Sequence, residues 1–165
     1  MKNIVVLFGG QSSEHDVSCV SATTIIKNID RTKYNPYLVG ITKEGQWLLA
    51  KDLSEVEDGS WRESDTTAII SPDAKLHGLI ITNGDKSETV YIDCAFPVLH
   101  GLNGEDGTVQ GLFTLAGIPY VGPHVSASAV AMDKTLTKLV MDQANIPQAA
   151  WMLVKNSDLQ GRMEQ

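Results

Sequence analysis

The feature that most constrains the fold is an apolar run near the start of the chain, within residues 3–8, which ends at Gly9-Gly10. A run without polar alternation is typical of a strand that is buried on both faces, as in a parallel sheet covered by helices. Ser13 and Asp16 follow with the spacing of a capping box, which predicts a helix over residues 13–28. A strand, a glycine turn and a helix in this order indicate an α/β fold.

Patterns in the remaining sequence predict the other elements. Strands are expected over residues 34–42, 47–49, 68–71, 77–82, 88–92, 94–99 and 149–154, and helices over residues 108–116, 126–131 and 132–144. Residues 51–66 are weakly patterned and predict a loop with one helical turn. The expected fold class is α/β, with a Rossmann-like, mainly parallel sheet that is flanked by helices and carries β-hairpin insertions. The first helix is expected to bury one stripe against this sheet, formed by Val17, Val20, Ser21, Thr24 and Ile25.

Composition excludes some classes of partner. The chain has 165 residues, with 13 basic and 20 acidic side chains and a net charge of −7, which argues against a nucleic-acid binder. No apolar stretch approaches the roughly 18 residues of a membrane span. Cys19 and Cys94 form no disulfide framework, and we expect reduced thiols in a cytoplasmic protein.

Two loops are predicted at the same edge of the sheet. One follows the first strand, over residues 9–14, and the other follows the strand at 94–99, over residues 100–107. The carboxyl ends of parallel strands gather at one edge, where ligands bind, so we expect these loops to lie close in space.

Glu14 and His100 are the candidate ligand-binding side chains of these loops. A carboxylate in the first turn of a helix can bind a cation such as an ammonium group, or it can only complement the helix dipole. His100 can donate a hydrogen bond or act as an acid or base, or it can only brace its loop. Gly9 and Gly10 can shape a pocket or only permit a tight turn. Glu105 and Asp106 are expected to cap the helix at residue 108 and to fix the second loop.

Lys134 is a third candidate, near the start of the predicted helix at 132–144. A lysine at this end opposes the helix dipole, which makes a phosphate a natural partner, although a solvated lysine or a pair with Asp133 fits equally well. The histidines show no ligand spacing, so no metal site is predicted. Neither a dinucleotide fingerprint nor a P-loop is present.

Three motifs together resemble one family. They are VLFGGQSSEHDVS (residues 6–18), FPVLHGLNGEDGTVQGLFTLAGIPYVG (residues 96–122) and SASAVAMDK (residues 126–134). In order and spacing they resemble the N-terminal part of D-alanine–D-alanine ligases of the ATP-grasp class. GITKEGQW (residues 40–47) is similar to the longer ligase subtype, and vancomycin-resistance ligases share the N-terminal signatures.

The resemblance implies a pre-ATP-grasp N-terminal domain and a cytoplasmic enzyme of cell-wall synthesis. Such an enzyme uses ATP and Mg²⁺ to join two D-alanines through an acyl phosphate. It further implies that Glu14 anchors the ammonium of the first D-alanine, that His100 borders this substrate and that Lys134 contacts ATP phosphates. Gly9, Gly10 and Gly101 would shape the pocket with their backbone. Most ligands of ATP and Mg²⁺ would lie beyond residue 165.

The expected domains are a substrate-binding domain over residues 1–122, linker helices over 123–147 and the start of the central domain over 148–165. Because the family's chains are about twice as long, we expect no turnover from this segment alone. The sequence leaves open a D-alanyl-D-serine or D-alanyl-D-lactate ligase, a homodimer, and a non-catalytic module that self-associates.

Overall fold

A mixed sheet forms the centre of the computed structural model, which describes residues 1–155. Its seven strands within this range are β1 (Lys2–Gly9), β2 (Tyr34–Ile41), β3 (Trp47–Ala50), β4 (Thr66–Ile70), β5 (Gly78–Asn83), β6 (Lys86–Tyr91) and β7 (Cys94–Pro97). They are arranged in the order β6-β5-β4-β3-β2-β1-β7. The predicted strand at the N-terminus therefore lies between two partners, inside the sheet.

The direction of the strands differs from the prediction. β1 pairs in parallel with β2 and β7, and its Val5 lies opposite Tyr37 and Ala95. The other four pairings, from β2 to β6, are antiparallel. The prediction of a mainly parallel sheet is thus wrong, whereas the α/β class and the hairpin insertions are confirmed. The connection between β5 and β6 at Gly84, for example, is too short for the crossover that joins two parallel strands.

Five α-helices accompany the sheet within residues 1–155. They are α1 (His15–Asn28), α2 (Leu53–Asp58), α3 (Thr108–Leu115), α4 (Val125–Met132) and α5 (Lys134–Gln143), and a 3-10 turn covers Ser60–Glu63. The helix α2 and the 3-10 turn lie where the sequence predicted mostly loop. Asp52 starts α2 by accepting hydrogen bonds from the backbone N–H groups of Ser54 and Glu55. None of the helices in this range is long and apolar enough to cross a membrane.

The buried face of α1 is rotated from the predicted stripe. Val17 and Val20 are 55% and 70% exposed. The residues that α1 buries are His15, Ser18, Ala22 and Ile26. A polar histidine and serine were not expected in this face, but both form buried hydrogen bonds to the sheet edge, which removes the cost of burying them.

The sheet buries apolar side chains on both faces, and β1 contributes to both. Val5 and Leu7 belong to one core cluster with Phe113 of α3. Val6 and Phe8 belong to the other, which includes Ala22 and Ile26 of α1. The period of two along a strand separates the two sets. The interpretation of the apolar run as a strand buried on both faces is therefore confirmed.

The end of the described chain adds no eighth strand to this sheet. The strand predicted over residues 149–154 is absent, and this prediction is wrong. Instead Trp151 lies along α5 and donates its indole N–H to Asp142 Oδ2 at 3.0 Å. A single extended segment has no strand beside it within residues 1–155, and lone strands are not stable. The predicted domain limits stay a prediction, and residues 156–165 lie outside the described part.

The start of α3 depends on Asp106, as predicted. Its carboxylate accepts hydrogen bonds from the backbone N–H groups of Thr108 at 3.0 Å and Asn103 at 2.8 Å. Burial raises the pKa of this carboxyl, but these backbone hydrogen bonds outweigh burial and hold the pKa below its usual range. The ionised form of Asp106 therefore fixes the loop before α3.

Gly40→Ala should destabilise the domain by about 1–3 kcal/mol, as overpacking does. A Cβ at Gly40 would overlap the ring of Trp61, which is fully buried. Gly111→Ala is the matched control, because a Cβ there meets no atom within 4 Å and the residue lies inside α3. The control should gain up to about 1 kcal/mol of helix propensity. Urea unfolding measures both, and equal stabilities of the two variants would contradict the packing described for Trp61.

Asp106→Asn should lower the free energy of unfolding at pH 7 by about 1 kcal/mol, because the amide has one acceptor oxygen and cannot accept both backbone N–H groups that the two carboxylate oxygens accept. A carboxyl whose pKa is depressed by folding stabilises the fold above its unfolded pKa of about 3.9. This stability is lost as the pH falls through the folded pKa. The difference in the free energy of unfolding between the parent and Asp106→Asn should consequently disappear below about pH 4. Urea unfolding across pH 3–7 measures it, and a gap independent of pH would refute the role of the charge.

Candidate functional site

The two predicted loops meet at the carboxyl ends of β1 and β7. Ser12 Oγ donates a hydrogen bond to the backbone carbonyl of His100 at 2.8 Å. The Glu14 side chain lies over Gly101, where a Cβ would come within 2.6 Å of Glu14 Oε2. The prediction that these loops are close in space is confirmed, and Gly101 is required here because it also has a φ of 70°.

Gly9 and Gly10 form the turn that leaves β1. Their φ values are 82° and 100°, a conformation that favours glycine. A Cβ at Gly9 would also overlap the carbonyl oxygen of Ile41. The Gly10 N–H donates to that same carbonyl at 2.8 Å, so the turn is tied to the end of β2. Both glycines therefore serve the tight turn, and the same turn lines a cleft.

Glu14 is the residue just before α1, and its carboxylate makes no capping hydrogen bond to the helix. Its side chain is exposed. No ion pair within residues 1–155 includes it. Glu14 therefore does not cap the helix with its side chain, whereas the simpler alternative, a carboxylate that complements the helix dipole, is compatible with this position. An exposed carboxylate at the ligand edge of the sheet can bind an ammonium group.

His100 lies between two clefts at this edge and is about one-third exposed. Its Nε2 is 3.3 Å from Ser21 Oγ, and its Nδ1 is 3.9 Å from Glu105 Oε1. Glu105 Oε2 accepts the Gly101 N–H at 2.7 Å. Glu105 therefore fixes the second loop, as predicted, and its other carboxylate oxygen lies near the His100 ring.

The cleft that Glu14 lines also contains a basic side chain. Its lining residues are Gln11, Ser12, Ser13, Glu14, Lys43, Gly101, Leu102 and Met132. The ammonium group of Lys43 lies 3.0 Å from Asp16 Oδ2. The hydrogen bond from Lys43 lowers the pKa of the Asp16 carboxyl. Asp16 thus neutralises the nearest cation in this cleft, which leaves the charge of Glu14 for a ligand.

A neighbouring cleft of about 300 Å³ has the two glycines of the first loop and His100 in its wall. Its other sides are mostly apolar and include Trp47, Leu99 and Leu112. The two clefts share Gln11 and Leu102, so they are continuous along the edge of the sheet. The candidate site is therefore a polar end around Glu14 beside an apolar chamber.

Lys134 is not brought against Glu14 or His100. It is the first residue of α5, its side chain is exposed, and it lines neither cleft. Met132, two residues earlier, does line the Glu14 cleft. Asp133 uses its carboxylate to cap α5 through the N–H groups of Thr135 and Leu136. The predicted phosphate contact of Lys134 stays a prediction.

Sequence reasoning missed two polar residues that hold the first loop. Ser18 Oγ accepts the Gly9 N–H at 2.8 Å and donates to the Val98 carbonyl at 2.6 Å. His15 Nδ1 lies 2.9 Å from the Gly10 carbonyl oxygen. The signal that was available is their spacing of three residues on α1, which places them on one face together with Ala22.

Side chains that bind metals are dispersed in the described part of the chain. No group of three or more His, Cys, Asp or Glu residues within 1–155 is arranged to hold a metal ion. Cys19 and Cys94 are both free thiols. Burial raises the pKa of each thiol. Neither cysteine is therefore activated as a nucleophile.

Similarity to known proteins agrees with this geometry. A D-alanine–D-alanine ligase from Thermoanaerobacter sp. (strain X514) is 45% identical over 160 residues, which cover 96% of this chain and 45% of that protein. The vancomycin/teicoplanin A-type resistance protein VanA from Enterococcus faecium is 43% identical over 156 residues, or 94% of this chain and 44% of VanA. The chain thus spans less than half the length of these curated relatives.

A solved structure supports the same relationship. The VanG D-Ala:D-Ser ligase from Enterococcus faecalis matches with a TM-score of 0.86 and 34% identity, covering 99% of this chain and 48% of that one. A family model described as the D-ala D-ala ligase N-terminus matches residues 3–123, the range that holds both loops of the site. The chain therefore belongs to the D-alanine–D-alanine ligase family, of which it carries the N-terminal domain.

Proposed function

We propose that this chain supplies the first D-alanine site of an enzyme that joins two D-alanines at the expense of ATP, for the synthesis of peptidoglycan. The observation that carries the proposal is the Glu14 carboxylate, which lies over Gly101 at the junction of the two loops without an ion-pair partner in residues 1–155. Such a carboxylate is suited to the ammonium group of an amino acid.

The proposed reaction has two steps. The γ-phosphoryl group of ATP is transferred to the carboxylate of the first D-alanine, which gives an acyl phosphate and ADP. The amine of the second D-alanine then attacks the acyl carbon, the new amide bond forms, and inorganic phosphate leaves. An ammonium held by Glu14 fixes the first D-alanine during both steps, which is the positioning contribution to catalysis.

His100 and the backbone of the second loop form the border of this proposed site. The imidazole contacts the Ser21 hydroxyl at 3.3 Å and lies near Glu105, and Gly101 leaves room for the Glu14 side chain. Lys134 is proposed to reach an ATP phosphate from the first turn of α5. In support, its side chain is exposed and it follows Met132, which lines the Glu14 cleft.

Mg²⁺ is proposed as a further requirement of the complete ligase, but residues 1–155 do not fit it. They contain no arrangement of His, Cys, Asp and Glu side chains that could hold a metal ion. No step of the reaction is therefore assigned to a metal ligand of this domain, and the metal ligands are proposed to lie outside it.

D-Serine and D-lactate are the competing second substrates. The D-alanine–D-alanine ligase from Thermoanaerobacter and VanA are 45% and 43% identical to this chain, and VanG, a D-Ala:D-Ser ligase, shares its fold. We propose D-alanine, the substrate named for the more similar of the two curated relatives. Product analysis with D-alanine paired in turn with D-alanine, D-serine and D-lactate distinguishes the three.

The proposal includes the location and the assembly of the ligase. Free, unactivated thiols at Cys19 and Cys94 suit a cytoplasmic protein. The outer face of α5 exposes Leu136, Leu139 and Val140, and apolar patches of this kind favour association. We propose that this face is covered by the rest of the ligase or by a second subunit. Sedimentation at increasing concentration tests self-association of the 165 residues.

Glu14→Gln in the complete ligase should raise the KM for the first D-alanine at least tenfold, which corresponds to about 1.4 kcal/mol of binding. The amide keeps the shape of the side chain but removes the charge that pairs with the ammonium. Glu57→Gln is the matched control, because it makes the same change at a carboxylate that is paired with Lys27 and does not line the cleft. Its KM should stay within about twofold. Steady-state phosphate release measures both, and equal effects of the two substitutions would overturn the anchoring role.

The 165 residues alone should release no phosphate that depends on D-alanine. Cations that are positioned around the transferred phosphoryl group stabilise the transition state. Lys134 is the only such cation that we propose in this chain. A coupled assay for ADP, with the complete ligase as positive control, measures this. Turnover by the short chain would show that the site of phosphoryl transfer lies within it.

A further inference from the structure

Three side chains pack together behind the Gly9-Gly10 turn, and we call them the His15 cluster: His15, Trp61 and Arg62. The His15 ring is 1% exposed and stacks on the Trp61 ring, with centroids 6.2 Å apart and planes 29° apart. The Arg62 guanidinium lies 4.5 Å above the Trp61 ring, within the range of a cation–π contact. The 3-10 turn thereby reaches the loop that follows β1.

Both ring nitrogens of His15 have partners that fix its tautomer. Nδ1 is 2.9 Å from the Gly10 carbonyl oxygen, which can only accept a hydrogen bond. Nε2 is 3.1 Å from Arg62 Nη2, and a guanidinium can only donate. His15 is consequently a neutral imidazole that donates from Nδ1 to Gly10 and accepts at Nε2 from Arg62.

The hydrogen bonds of His15 affect the position of Glu14, because His15 follows Glu14 directly in the chain. His15 begins α1 and points into the core, whereas Glu14 points to the cleft. The Gly10 carbonyl that His15 holds belongs to the turn that leads into Glu14. The backbone on either side of the 11–14 segment is thus fixed by one imidazole, while the Glu14 carboxylate makes no hydrogen bond to the helix.

We infer that His15, oriented by Arg62, is a positioning residue for the carboxylate that binds the first amino-acid substrate. The inference rests on the proposed function. In this inference the N–H at Nδ1 of His15 fixes the Gly10 carbonyl, and the turn at Gly10 fixes the position of Glu14. His15 itself does not contact the substrate. Loss of this donor should weaken substrate binding more than it slows the reacting step.

Two substitutions at His15 separate the ring nitrogens. Asn can place its amide N–H near the position of Nδ1 and keep the bond to Gly10, whereas Gln reaches the position of Nε2 and keeps only a partner for Arg62. In the complete ligase, His15→Gln should raise the KM for the first D-alanine about tenfold with kcat changed less than threefold. His15→Asn should stay within about threefold of the parent KM.

Thermal unfolding of both variants provides the structural control, since both lose the stacking on Trp61. If the two variants unfold at the same temperature but differ in KM as described, the donor at Nδ1 is responsible. Equal KM values for the two variants would overturn the inference. A parent ligase without D-alanine-dependent phosphate release would instead refute the proposed function, so the two failures are distinguishable.

Arg62 allows a second test, because its side chain is exposed and only its guanidinium contacts the buried rings of His15 and Trp61. Arg62→Lys keeps a donor for His15 Nε2 and should keep the parent KM, whereas Arg62→Met should raise KM about threefold. The ¹⁵N chemical shifts of the imidazole in the 165-residue chain should show a proton on Nδ1. In Arg62→Met, a tautomer with its proton on Nε2 should become populated. A parent protein with its proton on Nε2 would overturn the inference without any variant.

Discussion

The hydrogen bonds of Ser18 hold together the parts of the structure on which the site depends. One hydroxyl accepts the N–H of Gly9 at the end of β1 and donates to the carbonyl of Val98 just past β7. The Gly9 N–H and the Val98 carbonyl thus find their partner in the helix, and the Val98 N–H donates to Leu7 of β1 at 2.7 Å. Ser18 therefore links the ends of the two strands, and Ser12 links the loops that follow them.

The sequence allowed the site to be located but not the face of the helix that supports it. An apolar run identified β1. Glycine-rich segments follow two predicted buried strands, and the carboxyl ends of parallel strands lie at one edge of a sheet, so both loops could be placed at that edge. The stripe of α1 was predicted from apolar residues such as Val17 and Val20, which are exposed. His15 and Ser18 are buried because their hydrogen-bonding groups are satisfied by backbone atoms of distant residues, and no local pattern records such partners.

The errors in the sheet have a similar origin. Alternating strands and helices predicted a mainly parallel sheet, but the four pairings from β2 to β6 are antiparallel, including that of β3 and β4, whose connection contains α2. The apolar segment at 149–154 has strand-like composition and no partner strand in residues 1–155, so composition alone could not decide its structure. Both the direction of the strands and the absence of a strand at 149–154 depend on which distant segments lie beside each other.

A carboxylate binds a ligand ammonium best when it has no competing ion pair within the protein. Within residues 1–155 Glu14 meets this condition, and Asp16, two residues away, shows the alternative, since its carboxylate is paired with Lys43. The position of Glu14 must then be determined by its neighbours in the chain. Two uncharged parts of the loop fix this position. They are the buried, neutral His15 on one side and the two glycines with left-handed φ on the other. The place of the Glu14 charge therefore depends on residues that carry no charge themselves.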